Sequence, residues 1–316
     1  MTGRFDQTVS AVVITCGANN HLCACLESLM KQSKALEEII VIDNSLRPEV
    51  CSRISSGFAQ IKVYTSPRNL FYCESLNKGI TLTKGECILC LNDDVVLDKH
   101  FIEEALNGFS SDPKVGMVSG KILRPDAKTI DSAGLFLSAW RSARERGYGV
   151  SDRGQFERRG YIFGVNGAAA FYRRKMLEEI KLEGDYFDPD FRMFYEDLDI
   201  AWRAQNSGWK AYYMPSAIAY HVRGASFRPK EGINKPVARS FLNDELHADL
   251  IKNRYLCIIK NESLAGFILH LPFILIYDCF QWVYALTFRP KAAKLLISCG
   301  NYFRSAFKKR KSLQKR

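Results

Sequence analysis

Short apolar runs rich in β-branched residues alternate with helical patterns through the first 120 residues, and this alternation restricts the fold more than any other feature. The strand candidates are "SAVVIT" (10–15), "EEIIVID" (37–43), "IKVYT" (61–65) and "ECILCLN" (86–92). The helix candidates between and after them cover about 20–32, 48–58, 73–85 and 99–109. Repeated strand–helix units of this length predict an α/β fold with a mostly parallel sheet and helices on both faces.

The next hundred residues are less regular. Residues 120–165 are rich in glycine and arginine, and 140–160 is predicted to be a mobile surface loop. "GAAAFYRRKMLEEI" (167–180) predicts a strand that runs into a helix, and "YEDLDIAWRAQNSG" (195–208) predicts a helix. "KAYYMPSAIAYH" (210–221) is strand-like but interrupted by Pro215.

The character of the chain changes from about residue 240. The segment 264–288 is nearly uncharged over 25 residues, which is long enough to span a bilayer. Pro272 and Asp278 favour instead an interfacial or re-entrant helix pair, with a spanning helix and a soluble core helix as alternatives. Apolar residues then recur at helical spacing over 292–307 with Lys and Arg among them, which predicts a basic amphipathic helix on anionic headgroups.

The net charge of +11 indicates an anionic partner: nucleic acid, a phosphorylated small molecule or a membrane surface. The basic residues cluster beside amphipathic apolar positions without a nucleic-acid motif, which argues against nucleic acid. The ten cysteines lack disulfide or zinc spacing, and the N-terminus is too polar for a signal peptide. Reduced thiols and a cytoplasmic setting are therefore expected.

Several enzyme classes lack their phosphate-binding or nucleophile motifs in this sequence. There is no GxxxxGK[ST], no GxGxxG after a strand and no GxSxG. These absences argue against a P-loop kinase, a dinucleotide oxidoreductase and an α/β-hydrolase.

Polar side chains follow the predicted strands at the edge where parallel sheets bind ligands. In "CLNDDVVLD" (90–98), Asn92, Asp93 and Asp94 come directly after an apolar run and suit a hard cation such as Mg²⁺ or Mn²⁺. Asp98 precedes "KHFIEEAL" and is better placed as a helix cap. Asp43 in "VIDNS" could bind a ribose or nucleobase, although Asp-Asn-Ser is also an ordinary turn.

Two further sets of residues have both a structural and a functional interpretation. Glu196, Asp197 and Asp199 open a predicted helix, where acids are favoured by the dipole. The aromatic run "FRMFY" (191–195) before them would raise a carboxyl pKa and suit a general base. His221 ends an apolar run, and is either a structural histidine or a ligand beside carboxylates at a divalent metal.

Taken together, these motifs resemble the family 2 glycosyltransferases with the GT-A fold, and most closely the bacterial rhamnosyltransferase-like branch. The resemblance covers roughly 9–260. Its ordered elements are "VVIT…CLESLMKQ", "EEIIVIDNS", "SPRNLFYCESLNKGI", "GECILCLNDDVVLD", "GVNGAAAFYRRKML", "FYEDLDIAWRAQNSGWKAYYMPSAIAYH" and "KNRYL". One departure is Cys16-Gly17-Ala18-Asn19, where the family has Tyr-Asn and a charged residue; a second is the absence of a glycine-rich "GFAGGNN" run near "RNLFYCESLNKG".

The resemblance implies roles by position. The family's DxD motif aligns on Asn92 and Asp94, with Asp93 between them. Asp94 and His221 would hold a divalent metal, Mg²⁺ or Mn²⁺, that bridges the donor diphosphate. Residues implied to line the nucleotide-sugar site are Thr15, Asp43, Asn77, Lys78, Asn92 and Asp93. Asp197 matches the catalytic base, and Gly167 and Glu196 fall on the acceptor side.

The resemblance also implies an organisation and a function. A GT-A domain would cover 1–240, with a nucleotide-sugar half to about 120 and an acceptor half from about 121, and 241–316 would be a helical membrane-associating region. The implied activity is inverting transfer of a sugar, with L-rhamnose as one candidate, from a nucleoside diphosphate-sugar to a lipid-linked or polysaccharide acceptor. The enzyme would act at the cytoplasmic face of the membrane. The alternative is a catalytically inactive GT-A scaffold in a membrane glycan-assembly complex.

Overall fold

The computed structural model describes residues 7–17, 21–223 and 242–314. Within these ranges the strands are β1 Val9–Thr15, β2 Glu38–Asp43, β3 Lys62–Thr65, β4 Cys87–Asn92, β5 Val95–Leu97, β6 Val115–Leu123, β7 Ile130–Ser132, β8 Leu135–Leu137, β9 Ala143–Glu145, β10 Gly160–Ile162, β11 Ala169–Arg173 and β12 Lys210–His221. The helices are α1 Leu22–Met30, α2 Pro48–Gly57, α3 Phe71–Leu82, α4 Phe101–Phe109, α5 Arg174–Glu179, α6 Glu196–Asn206, α7 Asp244–Asn261, α8 Leu264–Phe288, α9 Pro290–Ile297 and α10 Gly300–Leu313.

One large mixed sheet organises the fold, with the order β10-β12-β6-β11-β4-β1-β2-β3. Strands β4, β1, β2 and β3 are parallel, as the strand–helix repeat predicts. β11 runs antiparallel between β4 and β6, and β12 pairs parallel with β6. β12 is one continuous strand, and the predicted interruption at Pro215 is a register shift between Met214 and Ile218.

Side chains alternate between two cores because successive strand residues point to opposite faces. On β1, Val9, Ala11 and Val13 face the core with α1, α2 and α4, whereas Val12 and Ile14 face the core with α3, α5 and α6. Both faces of the sheet are thus covered by helices, which confirms the predicted α/β layering.

The segment 140–160 is only in part the predicted surface loop: 146–159 is irregular and mostly exposed, but 143–145 and 160 belong to strands. It contains β9, which pairs with β8 in a hairpin, and it leads into β10 at the edge of the large sheet. One of its arginines packs between aromatic rings: the Arg146 guanidinium lies 4.9 Å from the Phe156 ring centroid and 5.3 Å from that of Tyr213. Stacking of guanidinium groups on aromatic rings gives an arginine-rich segment a folded role that composition does not indicate.

Helix α7 packs against α6 and α10, across the predicted boundary at residue 240. Buried ion pairs join the two sides: Lys260 Nζ lies 2.5 Å from Asp188 and 2.9 Å from Asp199, and Lys309 Nζ lies 2.6 Å from Asp188. The division at 240 remains a proposal, and the contacts tie the start of the C-terminal region closely to the sheet domain.

Helix α8 is a single 25-residue helix with Pro272 inside it, so the predicted helix pair is wrong. Most of its apolar side chains are exposed, including Phe280 at 74% and Leu269 at 71%. Among the described residues it is the one helix whose length and composition would allow it to cross a membrane. Only 6% of its most apolar 18-residue stretch is buried. Its polar side chains face the protein: Asp278 pairs with Arg254 and His270 lies 2.8 Å from Arg141.

Candidate active site

The carboxyl ends of three neighbouring parallel strands bring the predicted donor-side residues together. Thr15 is the register partner of Asp43, and Ile14 of Asn92, so the ends of β1, β2 and β4 lie side by side. Thr15 Oγ1 donates to Asp93 Oδ2 at 2.5 Å, and Asp43 Oδ1 accepts from the Ser45 amide at 2.8 Å. Asp93 therefore ties β4 to β1 at this edge. Of the divergent sequence 16–19, positions 18 and 19 lie outside the described residues.

Asp94 and His221 meet because β5, which follows Asp94, pairs antiparallel with the end of β12. His221 Nε2 lies 3.3 Å from Asp94 Oδ1, and Nδ1 lies 2.9 Å from Asp131 Oδ2. Arg223 pairs with the other oxygen of Asp131. Burial alone would lower the pKa of His221, but the hydrogen bonds to the two carboxylates outweigh it and raise that pKa to about 9.

Gly167 links the strand edge to the acid pair of α6. Tyr72 donates its hydroxyl to Asn92 Oδ1 at 2.8 Å and to the Gly167 carbonyl at 3.0 Å. The Gly167 amide donates to Asp197 Oδ2 at 3.4 Å. A Cβ at Gly167 would lie 3.4 Å from Glu196 Oε1 and 3.7 Å from Asp197 Oδ2, so this position is in van der Waals reach of both carboxylates.

Glu196 and Asp197 open α6 but lie in different environments. Glu196 is buried, and one of its carboxyl oxygens, Oε2, has no hydrogen-bond partner among the residues that the structure describes. Burial, with the nearby charge of Asp197, raises the pKa of Glu196 to about 8. Asp197 is only half-buried. It lines a cleft, which Tyr72, Asn92 and His221 also line. The more accessible carboxylate is therefore the one suited to take a proton from a bound ligand.

Five residues of this region were not singled out by sequence reasoning: Tyr72, Asp131, Glu145, Asn166 and Arg223. Glu145 and Asn166 line the cleft, and Asn166 Nδ2 donates to Glu145 Oε1 at 2.5 Å. Burial raises the pKa of Glu145 to about 7 against the opposing charge of Arg223, and the charges of Asp197 and Asp131 add to the rise. Tyr72 and Asn166 lie within the quoted segments "SPRNLFYCESLNKGI" and "GVNGAAAFYRRKML", and Arg223 lies two positions after His221, so these three had a signal in the sequence. Asp131 and Glu145 come from segments without a motif.

Two predicted donor-side residues are engaged elsewhere. Asn77 is buried in α3 and its amide is used by the backbone: Nδ2 donates to the Phe187 carbonyl at 2.7 Å, and Oδ1 accepts from the Tyr186 and Phe187 amides. Lys78 Nζ lies 4.6 Å from the Tyr64 ring centroid. The structure thus places Asn77 in packing rather than at the strand edge. Asp98 accepts from the His100 amide at 3.0 Å, just before α4 begins.

The donor set at Asp94 and His221 fits a divalent cation completed by a phosphate ligand. No group of three His, Cys, Asp or Glu side chains suited to a metal occurs in the part of the chain that the structure describes. One carboxylate and one imidazole are nevertheless adjacent, and the second imidazole nitrogen is held by Asp131. An orienting carboxylate behind a histidine is the usual support for a metal ligand. Mg²⁺ and Mn²⁺ sites commonly use few protein ligands and take the rest from substrate phosphates.

Comparison with known proteins identifies a family of glycosyltransferases. The family model described as "Glycosyl transferase family 2" matches residues 10–181. An N-acetylglucosaminyltransferase of Bradyrhizobium diazoefficiens is 24% identical over 223 residues, which are 66% of this chain and 44% of that protein. The chain spans 25–44% of the length of the first two curated relatives that it matches.

Solved structures agree with the fold. S. aureus TarS 1-349 in complex with UDP-GlcNAc superimposes with a TM-score of 0.61 at 13% identity, over 95% of this chain and 81% of that one. Mannosyltransferase PcManGT from Pyrobaculum calidifontis, with GDP-Man and Mn²⁺, has a TM-score of 0.55 at 16% identity, over 97% and 85%. At these identities the likeness concerns the fold, and it confirms the predicted GT-A architecture.

Proposed function

The chain belongs to glycosyl transferase family 2, and from that premise we propose that it transfers a sugar from a nucleoside diphosphate-sugar to a lipid-linked or polysaccharide acceptor. The observation that carries the proposal is that one cleft is lined both by the predicted metal and donor residues and by the predicted base. Asn92 and His221 line it beside Asp94, at the strand edge where parallel sheets bind nucleotides. Asp197 faces the same cleft from α6.

On the donor side, Thr15 and Asp43 are the candidates for contact with the nucleoside. Asp94 and His221 would hold Mg²⁺ or Mn²⁺, and Asn92 would lie beside the donor sugar. A bound divalent cation would neutralise the negative charge that develops on the departing nucleoside diphosphate. Asp131 keeps the His221 ring oriented through its contact with Nδ1 at 2.9 Å.

On the acceptor side, Asp197 is the proposed general base. Its carboxylate takes the proton of the acceptor hydroxyl while that oxygen forms the new bond to the anomeric carbon. The bond from that carbon to the diphosphate breaks, and its electron pair leaves with the nucleoside diphosphate. A single displacement of this kind inverts the anomeric centre. Glu196, neutral below a pKa of about 8, adds no second full charge beside Asp197 at neutral pH.

The acceptor is proposed to be membrane-associated. The exposed apolar side of α8 and the lysine- and arginine-bearing α9 and α10 form one C-terminal region suited to an anionic lipid surface. A location on the cytoplasmic face of the membrane follows from this proposal. It would place the enzyme where lipid-linked glycan acceptors are available.

The first experiment is a donor screen with Mn²⁺. We expect one nucleoside diphosphate-sugar to raise the melting temperature, because a ligand that binds only the folded state stabilises it. dTDP-L-rhamnose, for the branch that the sequence resembles, and UDP-GlcNAc, for the relatives, are the first two donors to test. If no nucleoside diphosphate binds in the presence of metal, the inactive scaffold replaces the enzyme as the better explanation.

The second experiment tests the base. Asp197→Asn should lower transfer by about 10³-fold or more and leave nucleoside diphosphate affinity nearly unchanged, because only the proton acceptor is lost. Asp126→Asn is the control, since Asp126 is an exposed loop carboxylate. Transfer near the wild-type rate in Asp197→Asn would refute the assignment.

A further inference from the structure

The turn that leads into the acid pair of α6 has an unusual backbone. Arg192, Phe194 and Tyr195 have φ values of 59°, 70° and 67°, in the left-handed region that non-glycine residues rarely adopt. Such residues persist only where their surroundings hold them. The turn ends directly at Glu196, the first residue of α6, so its conformation sets where the first helical turn and Asp197 point.

One side chain from α7 holds this turn. Asn253 is fully buried, and its Nδ2 lies 2.8 Å from the Phe191 carbonyl, 2.7 Å from that of Met193 and 2.8 Å from that of Phe194. The two protons of an amide nitrogen are thus shared among three backbone carbonyls of a single turn.

The same turn also accepts hydrogen bonds from α3. The amides of Tyr72 and Cys73 donate to the Arg192 carbonyl at 3.0 and 3.2 Å. Tyr72 also donates to Asn92 and Gly167 in the cleft. The turn is therefore held by hydrogen bonds from two helices: α3, which carries Tyr72 of the cleft, and α7 of the C-terminal region.

We infer that Asn253 is a positioning residue: it fixes the left-handed turn at 192–195 and through it the placement of Asp197 in the cleft. This inference rests on the proposed function, because it assumes that Asp197 receives the proton. It also gives α7, which lies beyond the predicted domain boundary, an indirect part in the reaction. Asn253 is buried beneath the turn and acts through it.

The test compares Asn253→Ala with Asn261→Ala. Asn261 is the matched control, since it is a buried asparagine on the same helix that donates to the Asp199 side chain and the Cys257 carbonyl, and not to the turn. Transfer is measured with Mn²⁺ and the donor found in the screen, and UDP or dTDP binding is measured by calorimetry. Melting temperatures of both variants report the general loss of stability.

We expect Asn253→Ala to lower kcat by about 100-fold, as misplacement of a reacting group by about 1 Å does. Nucleoside diphosphate affinity should stay within about threefold of wild type, because the donor-side strand ends are untouched. Asn261→Ala should keep most of its kcat at a comparable loss of melting temperature. A loss of kcat that follows the melting temperature equally in both variants would overturn the inference.

Hydrogen exchange separates this inference from the proposed function. The amides of 192–198 should exchange faster in Asn253→Ala than in wild type and Asn261→Ala, whether or not any sugar is transferred. Unchanged exchange there would overturn the inference even in an active enzyme. A wild-type protein that transfers no sugar, with faster exchange in Asn253→Ala, would refute the proposed function and leave the role of Asn253 in holding the turn supported.

Discussion

Glu196 gives a prediction for stability that does not depend on any substrate. Burial and the charge of Asp197 raise its pKa from 4.5 to about 8, so the folded state binds this proton more tightly than the unfolded chain does. The contribution of Glu196 to stability is then most favourable below about pH 4.5, where both states hold the proton. It falls as the pH rises toward the folded pKa, and the loss is complete above about pH 8.

The magnitude follows from the size of the shift. A change from 4.5 to about 8 is roughly 3.5 pKa units, and at 1.36 kcal/mol per unit the penalty at high pH is at most about 5 kcal/mol. Unfolding entropy near 2.1 cal/mol/K per residue gives about 0.7 kcal/mol/K for 316 residues. The penalty therefore corresponds to as much as about 7 °C in melting temperature.

The assay compares melting temperatures of wild type and Glu196→Gln from pH 5 to pH 9. Glutamine has the shape of the protonated acid but cannot ionise, so the two proteins should melt together near pH 5. The variant should melt higher at pH 9. Glu27→Gln, at a largely exposed helix position, is the control and should give a separation that does not change with pH. A constant separation for Glu196→Gln would refute the argument that burial makes its ionisation costly.

Three other predictions concern the metal site, the helical packing and the lipid surface. His221→Ala should raise the Mn²⁺ concentration needed for UDP binding by tenfold or more, measured by calorimetry, because it removes one of two proposed protein ligands. Lys260→Met should cost about 3–5 kcal/mol in urea unfolding, because it leaves the buried Asp188 and Asp199 with one fewer cationic partner. Phe280→Asp should weaken sedimentation with anionic vesicles by about tenfold without lowering the melting temperature, since this side chain is 74% exposed. An unchanged Mn²⁺ requirement would contradict the role of His221 as a metal ligand. Unchanged urea unfolding would contradict the stabilising role of Lys260, and unchanged sedimentation would contradict a lipid-facing Phe280.

The layering of the fold could be predicted because its signal is local. On β4, Cys87, Leu89 and Leu91 face one core while Ile88 and Cys90 face the other, so a fully apolar run follows from burial on both sides. Cys87 and Cys90 thus point to opposite faces of the strand, and both are free thiols. Pro272 was misleading because one missing backbone hydrogen bond does not end a 25-residue helix.

Part of the candidate site was also visible in the sequence. Thr15, Asp43 and Asn92 end neighbouring parallel strands, and strand ends of a parallel sheet share one edge by construction. Asn77 looked equivalent by motif, but its position on α3 turns the amide toward the backbone of 186–187. A residue's neighbours across a helix cannot be read from its own segment.

The sequence by itself determined the two-faced parallel sheet and the chemical types at its carboxyl edge, because both depend on the period of side chains along single strands. Only the tertiary structure decided the partners. Asp131 reaches His221 from 90 positions away, and Asn253 reaches Phe191 from 62. These contacts form when distant segments pack together, and no local pattern encodes them. For that reason the aspartates after β4 could be found in the sequence, whereas the groups that orient His221 and Asp197 could not.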